Sequence, residues 1–185
     1  MEGLRDGQNA HPALAPPSLS HPSIPHPPVS VPPALDPQKL LDAMKAGGAA
    51  GLKLPPPVFV DMETDVRDYR PGDADRDHVG ASMTARFPVL ERYQNPMGVM
   101  QGGMVAAAVD GVVGPLSYLV APPSVTAQLS MTYLAPATPD TAYVEVTARL
   151  VSRAGRQLVF DAVVTDPDGA ELAVGRLTNT VVRRG

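Results

Sequence analysis

The chain contains no cysteine, which excludes disulfide frameworks, thiolate zinc sites, iron–sulfur clusters and cysteine nucleophiles, and is compatible with a reducing compartment. Lysine does not occur after Lys53, and His78 is the only histidine beyond residue 57. Positive charge in that larger part rests on 11 arginines against 15 acids, and the whole chain carries a formal charge of −4 with a pI near 5.5. This balance opposes a nucleic-acid role, because phosphate backbones need a cationic surface. No aromatic residue precedes position 58. The aromatics that exist, from Phe59 to Phe160, mark where enough apolar mass is available to offset chain entropy. Residues 58–185 are therefore expected to form the folded domain, and 1–57 an extension.

The extension has proline instead. Of 22 prolines, 13 fall between Pro12 and Pro57, alternating with histidine and serine as in His11-Pro12, His21-Pro22 and His26-Pro27-Pro28. Such a composition favours polyproline II and opposes packed helix or sheet, so it reads as a mobile tail without a tuned metal site. Asp36 ahead of Pro37 is an N-cap for a short helix near 37–46, with Leu40, Leu41 and Met44 at helical spacing and Gly47-Gly48 to stop it. The opening residues have acids and no apolar run behind them, which does not read as a secretory signal, and a cytoplasmic location is expected.

Past Pro55-Pro56-Pro57, Val58 to Met62 reads as a strand. The acidic stretch that follows (Asp61, Glu63, Asp65, Asp68, Asp73, Asp75, Asp77) reads as solvated surface, since its spacing lacks the glycine and terminal glutamate of an EF-hand loop. Ala81 to Val89 is a strand interrupted by Pro88. Met104 to Ala121 is then an 18-residue apolar stretch with one charge, Asp110, and with Gly111, Gly114 and Pro115 inside it. An aspartate and a proline argue against a membrane span; a helix apolar nearly all round is a buried one, and something must wrap it. Val125 to Leu134 alternates Val125, Ala127, Leu129, Met131 and Tyr133 against Thr126, Gln128, Ser130 and Thr132, the two-residue period of a strand. Tyr143 to Val151, Gln157 to Thr165 and Glu171 to Val182 continue the series through hairpin signals at 152–156 and at Asp166-Pro167-Asp168-Gly169. The expectation is an α+β fold, a four-strand antiparallel meander curved around one buried helix.

Ahead of that helix the chain reads Asn95-Pro96-Met97-Gly98-Val99-Met100-Gln101-Gly102-Gly103, and Asp110 follows fifteen positions after Asn95. A helix N-terminus offers unpaired N–H groups at a positive dipole end, and glycines let a ligand approach that backbone. The Gly102 or Gly103 amide is thus a candidate oxyanion-hole donor. Asp110, two turns beyond Gly103, lies on the same helix face but about 10.5 Å along the axis at 1.5 Å per residue. One protomer cannot join the two at a single carbonyl.

These residues resemble the hotdog-fold acyl-CoA thioesterases of the phenylacetate-pathway type, whose motif runs Asn-x-x-Gly-x-x-His-Gly-Gly before a helix bearing an acid. Asn95, Gly98, Gly102, Gly103 and Asp110 match in type and spacing, and Thr132-Tyr133-Leu134-Ala135-Pro136 resembles the strand after the helix. The likeness covers residues 59–183, and Gln101 stands where many members have histidine. The resemblance implies hydrolysis of an acyl-CoA to free acid and coenzyme A without metal or redox cofactor. It also implies a homodimer or a dimer of dimers, a homotetramer, with Asn95 and Gly102 or Gly103 of one chain facing Asp110 of the other. Asp110 would act as general base on a water or as the nucleophile forming a mixed anhydride. Asn95 would orient the water or bind the carbonyl; Thr126 falls where relatives have a water-assisting serine; and Gln101, unable to ionise, keeps an amide that can donate.

Coenzyme A phosphates would need arginines here, and Arg153 and Arg156, flanking the turn at Gly155, come first among Arg149, Arg176, Arg183 and Arg184. Ala106, Ala107 and Ala108 point to room for a sizeable acyl or aryl group. A hotdog dehydratase would need a histidine that Gln101 does not supply. A non-catalytic acyl-CoA-binding module is the alternative from another class.

Overall fold

The computed structural model describes Asp42 and residues 55–182. The proline-rich tail, Arg183 and Arg184 lie outside the described residues; of the short helix expected near 37–46 only Asp42 is described, and it is helical.

The domain opens with a helical turn, α1 (Pro57–Asp61), where a strand was expected. Pro57 sits at the first helical position, where its missing N–H would have no partner anyway. Phe59 and Met62, three apart, both enter the core while Val58 and Val60 stay exposed, so the buried pair follows the helical period and not the alternating one. The acidic stretch holds a strand that its charges concealed, β1 (Asp65–Arg70). A register shift between Val66 and Asp68 lets Val66 and Tyr69 both pack toward the core, while Arg67–Asp65 (2.9 Å) and Arg70–Asp68 (2.8 Å) pair outside. Charges along an exposed edge of this kind oppose pairing with another chain.

Six further elements complete the domain: β2 (Ser82–Pro88), the long helix α2 (Gly102–Val120), β3 (Ser124–Tyr133), β4 (Tyr143–Ala154), β5 (Gln157–Thr165) and β6 (Glu171–Val181). All strands pair antiparallel in one sheet of order β1-β2-β4-β5-β6-β3. Only β4, β5 and β6 form the expected meander. β3 does not pair with β4 but joins the far edge beside β6. The connection after Tyr133 contains Pro136 and Pro139, unsuited to a tight hairpin, and it is long enough to cross the roughly 14 Å of three strand spacings.

One sheet face is apolar: Met83, Ala85 and Phe87 of β2, Val144, Val146, Ala148 and Leu150 of β4, Leu158, Phe160, Ala162 and Val164 of β5, and Leu177 of β6 are all buried. Against it lies α2, ten of whose residues are buried. Each large side chain removed from water here contributes about 1.5–3 kcal/mol, which is what holds helix to sheet. The same helix is long and apolar enough to cross a bilayer by length and composition. Pro115 inside it removes the hydrogen bond to the Gly111 carbonyl. Ser117 Oγ donates to the Gly114 carbonyl (2.6 Å) and receives Ser124 Oγ–H (3.0 Å), tying the end of α2 to the start of β3. This is the hotdog fold, with one departure from the expected wrapping. The sheet covers one side of α2, and Gly103, Ala106, Ala107, Asp110 and Gly114 are not buried.

Candidate functional site

The start of α2 is built by the loop before it. The Asn95 N–H donates to the Val99 carbonyl (2.8 Å), Gly98 N–H to the Asn95 carbonyl (2.9 Å), and Asn95 Oδ1 accepts from the amides of Met97 (2.9 Å) and Val99 (3.4 Å). Gly98 has φ +78°, a conformation that favours glycine. Asn95 and Gly98 therefore shape this turn, and Asn95 has its side-chain nitrogen left for a ligand. The loop is pinned by Gln101 N–H to the Tyr93 carbonyl (2.8 Å) and Met100 N–H to the Ala137 carbonyl (2.9 Å). Gln101 is the N-cap residue; its exposed side chain makes no capping bond, while its carbonyl takes the Met104 and Val105 amides. The amides of Gly102 and Gly103, in the first turn, have no intrahelical acceptor.

The two glycines are glycine for different reasons. A Cβ on Gly102 would lie 3.1 Å from Tyr133 Cζ, and the Tyr133 hydroxyl donates to the Gly102 carbonyl (2.8 Å). Packing within the protomer thus accounts for Gly102. At Gly103 a Cβ would meet nothing within 4 Å, so the space there is open to a substrate or another chain.

Two turns along, Asp110 Oδ1 accepts a 2.7 Å hydrogen bond from Thr126 Oγ1. The simple alternation of β3 puts Thr126 on the face opposite Leu129, Met131 and Tyr133, but the pairing with β6 shifts between Thr126 and Gln128. The extra residue at Ala127 reverses the parity. Thr126 now stands opposite buried Asn179, on the helix side, while Leu129 stands opposite buried Leu177 on that same side. Asp110 is half-buried and holds a hydroxyl instead of a counter-charge.

Beside the helix start is a cleft of about 410 Å³ lined by Met100, Gly102 and Val105, by Tyr133 to Ala137, and by Val144, Val164, Leu172 and Ala173. Asp110 is not part of its wall. The predicted site therefore lies in two places within one protomer: Asn95, Gln101, Gly102 and Gly103 at the helix start, Asp110 and Thr126 further along. Arg153 and Arg156 are at the other end of the helix. Arg153 is 12% exposed, its Nη1 3.3 Å from the Val120 carbonyl and 3.6 Å from Asp77 Oδ1, so it closes the C-terminus of α2. Arg156 is exposed and uses only Nε, on the Val181 carbonyl (2.9 Å).

Two residues gain a place in the site that the sequence did not signal. Tyr133 roofs the first turn of α2, and Asn179, 1% exposed, has its Oδ1 without a hydrogen-bond partner among the described residues beside Thr126. An asparagine at an apolar-phase position of β6, after Leu177, was the available sign of the second.

A thioesterase superfamily model matches residues 97–173. No curated protein sequence matches the chain. Among solved structures, the Escherichia coli PaaI protein from the phenylacetic acid degradation operon is similar at 13% identity and TM-score 0.64, over 80% of this chain and 94% of that one. A phenylacetic acid degradation-related protein from Ralstonia eutropha is similar at 21% identity and TM-score 0.62, over 77% and 98%. A Streptococcus mutans protein bound to acetyl-CoA is similar at 19% identity and TM-score 0.59, over 74% and 97%. At these identities the likenesses speak to fold alone. The matched segment runs from the loop before α2 through β5 to the start of β6, and over that segment the chain is similar to the thioesterase superfamily.

Proposed function

We propose that the protein hydrolyses acyl-CoA thioesters to the free acid and coenzyme A, at sites built between two copies of the chain. The observation that carries this reading is the Thr126–Asp110 hydrogen bond of 2.7 Å on the open side of a helix that begins with two unpaired glycine amides. Thr126 fixes one carboxylate oxygen and leaves the other for chemistry. The Gly103 amide, with Gly102 beside it, donates to the thioester oxygen as that atom becomes negative. The Asn95 and Gln101 amide groups are at hand for the carbonyl or the water.

With Asp110 as base, its second oxygen takes a proton from water, the oxygen adds to the carbonyl carbon, and collapse breaks the C–S bond, with the proton passing to the departing thiolate. With Asp110 as nucleophile, the carboxylate displaces the thiolate and water then cleaves the mixed anhydride. Each route consumes one water and gives the same products. Heavy-oxygen label from solvent found in Asp110 after a single turnover identifies the anhydride route.

The two halves of the site meet in a dimer. β3 has no charged residue along its ten positions, and Val125 (54% exposed) stands out from it, as does Leu134 (53%) just past its end. This free edge lacks the protection that β1 has. Joining two β3 edges about a two-fold axis sets the α2 helices side by side and antiparallel, with the open Gly103 of one chain facing Asp110 of its partner. Arg156, with its Nη groups unspent, is the first choice for coenzyme A phosphate, and Arg153 beside it anchors the helix end.

Thiol release from a panel of acyl-CoAs tests the activity. Binding without cleavage would instead make the protein an acyl-CoA-binding module. Thr126→Val should lower kcat roughly ten- to hundredfold, the loss of one hydrogen bond to a charged group, and Thr126→Ser should restore most of it. Equal rates in all three proteins would remove Thr126 from the site.

A further inference from the structure

We infer that the acyl group is apolar, uncharged and well beyond acetyl in length, and that it lies in the cleft roofed by Tyr133; this rests on the thioesterase reading above. The cleft starts at Gly102, next to the Gly103 amide that would hold the thioester oxygen, and runs between the first turn of α2 and the sheet. Its floor is Val144, Val164 and Leu172, one from each strand of the meander. None of its twelve lining residues is charged. The only side-chain oxygen or nitrogen in the wall is the Tyr133 hydroxyl, which is already donating to the Gly102 carbonyl. A tail carboxylate, as in a succinyl group, would lose its water here and find no cation, a transfer that is strongly unfavourable. An apolar tail loses nothing polar.

Size sets the length. An apolar cavity of about 150 Å³ takes one benzene ring, and this cleft measures about 410 Å³, which accommodates a chain of roughly six to ten carbons. An acetyl group would leave most of it unfilled. Tyr133 determines specificity through its place, because its ring lies against Gly102, where any tail must pass. Ala137 and Leu172, both buried, face the cleft and allow it to be narrowed or widened.

The test uses the full chain with acetyl-, octanoyl- and succinyl-CoA, reading thiol release, and octanoyl-CoA binding by calorimetry in the Asp110→Asn protein. The expected result is kcat/KM for octanoyl-CoA at least about tenfold above acetyl-CoA, with succinyl-CoA lowest. Ala137→Leu should cut the octanoyl-to-acetyl ratio about tenfold, and Leu172→Ala should move the preferred length upward; the two work in opposite directions, so a folding defect in one leaves the other to report. Hydrolysis with an unchanged ratio in both variants would overturn the cleft assignment and leave the thioesterase reading intact. If no acyl-CoA is cleaved, the thioesterase reading fails, and binding decides the cleft. Octanoyl-CoA affinity weakened about tenfold by Ala137→Leu in the Asp110→Asn background supports it, and absent or unaffected binding overturns it.

Discussion

Asp110→Asn should lower kcat for any cleaved acyl-CoA by about 10²- to 10⁴-fold, the range for losing a positioned acid–base group, or further if Asp110 is the nucleophile. The substitution is nearly isosteric. Its amide oxygen can still accept from Thr126, which now donates to Asp110 Oδ1 at 2.7 Å, so helix and strand stay joined. Among the described residues Asp110 has no opposite charge bonded to it, and removing a half-buried charge of that kind tends to leave stability unchanged or raised. Unaltered or higher melting temperature together with lost turnover is the expected pattern. Turnover within a few-fold of wild type would take Asp110 out of the chemistry.

Charging the β3 edge should abolish activity by a different route. Gln128 and Ser130 stand opposite Thr178 and Arg176 on the sheet face away from the helix, so Gln128→Glu with Ser130→Glu leaves the core untouched and gives Arg176 a neighbouring acid within the protomer. Across a two-fold axis the same acids meet their own copies, and like charges facing each other across a strand pair are destabilising. Sedimentation should show a folded monomer, and thiol release should fall by orders of magnitude, because Gly103 and Asp110 of one chain are about 10.5 Å apart along the helix. An oligomer that persists, or a monomer with full activity, would contradict the arrangement.

Much of this was legible in the residues. The apolar run from Met104 and the two-residue periods of β3 to β6 gave the helix and strands within a few positions, and the Asn95-to-Asp110 motif resembles the thioesterase superfamily whose model matches residues 97–173. What stayed hidden depended on pairing. The regular alternation of β3 conceals the extra residue at Ala127, which becomes visible only when Thr126 is seen opposite Asn179, and that single insertion brings Thr126 to Asp110. The placement of β3 beside β6 was hidden for a similar reason, since sequence neighbours are the default partners in a meander. β1 was masked by its surface ion pairs. The cleft needs the segment after β3 to fold back on β6, where the Leu134 and Ala135 amides both donate to the Leu172 carbonyl (2.8 and 3.1 Å), and no local pattern announces that.

The claim on which the rest depends is that each site takes Gly103 from one chain and Asp110 from the other. Subunit complementation tests it directly. Gly103→Val fits the protomer, where a Cβ meets nothing within 4 Å, yet would block the approach to the helix start. Asp110→Asn removes the acid. Each variant alone should be inactive. Unfolded and refolded together in equal amounts, half the dimers are mixed, and each mixed dimer holds one site with both residues intact, so about one quarter of wild-type activity should return. A mixture as inactive as its two components would place both residues in the same protomer's site and contradict the account.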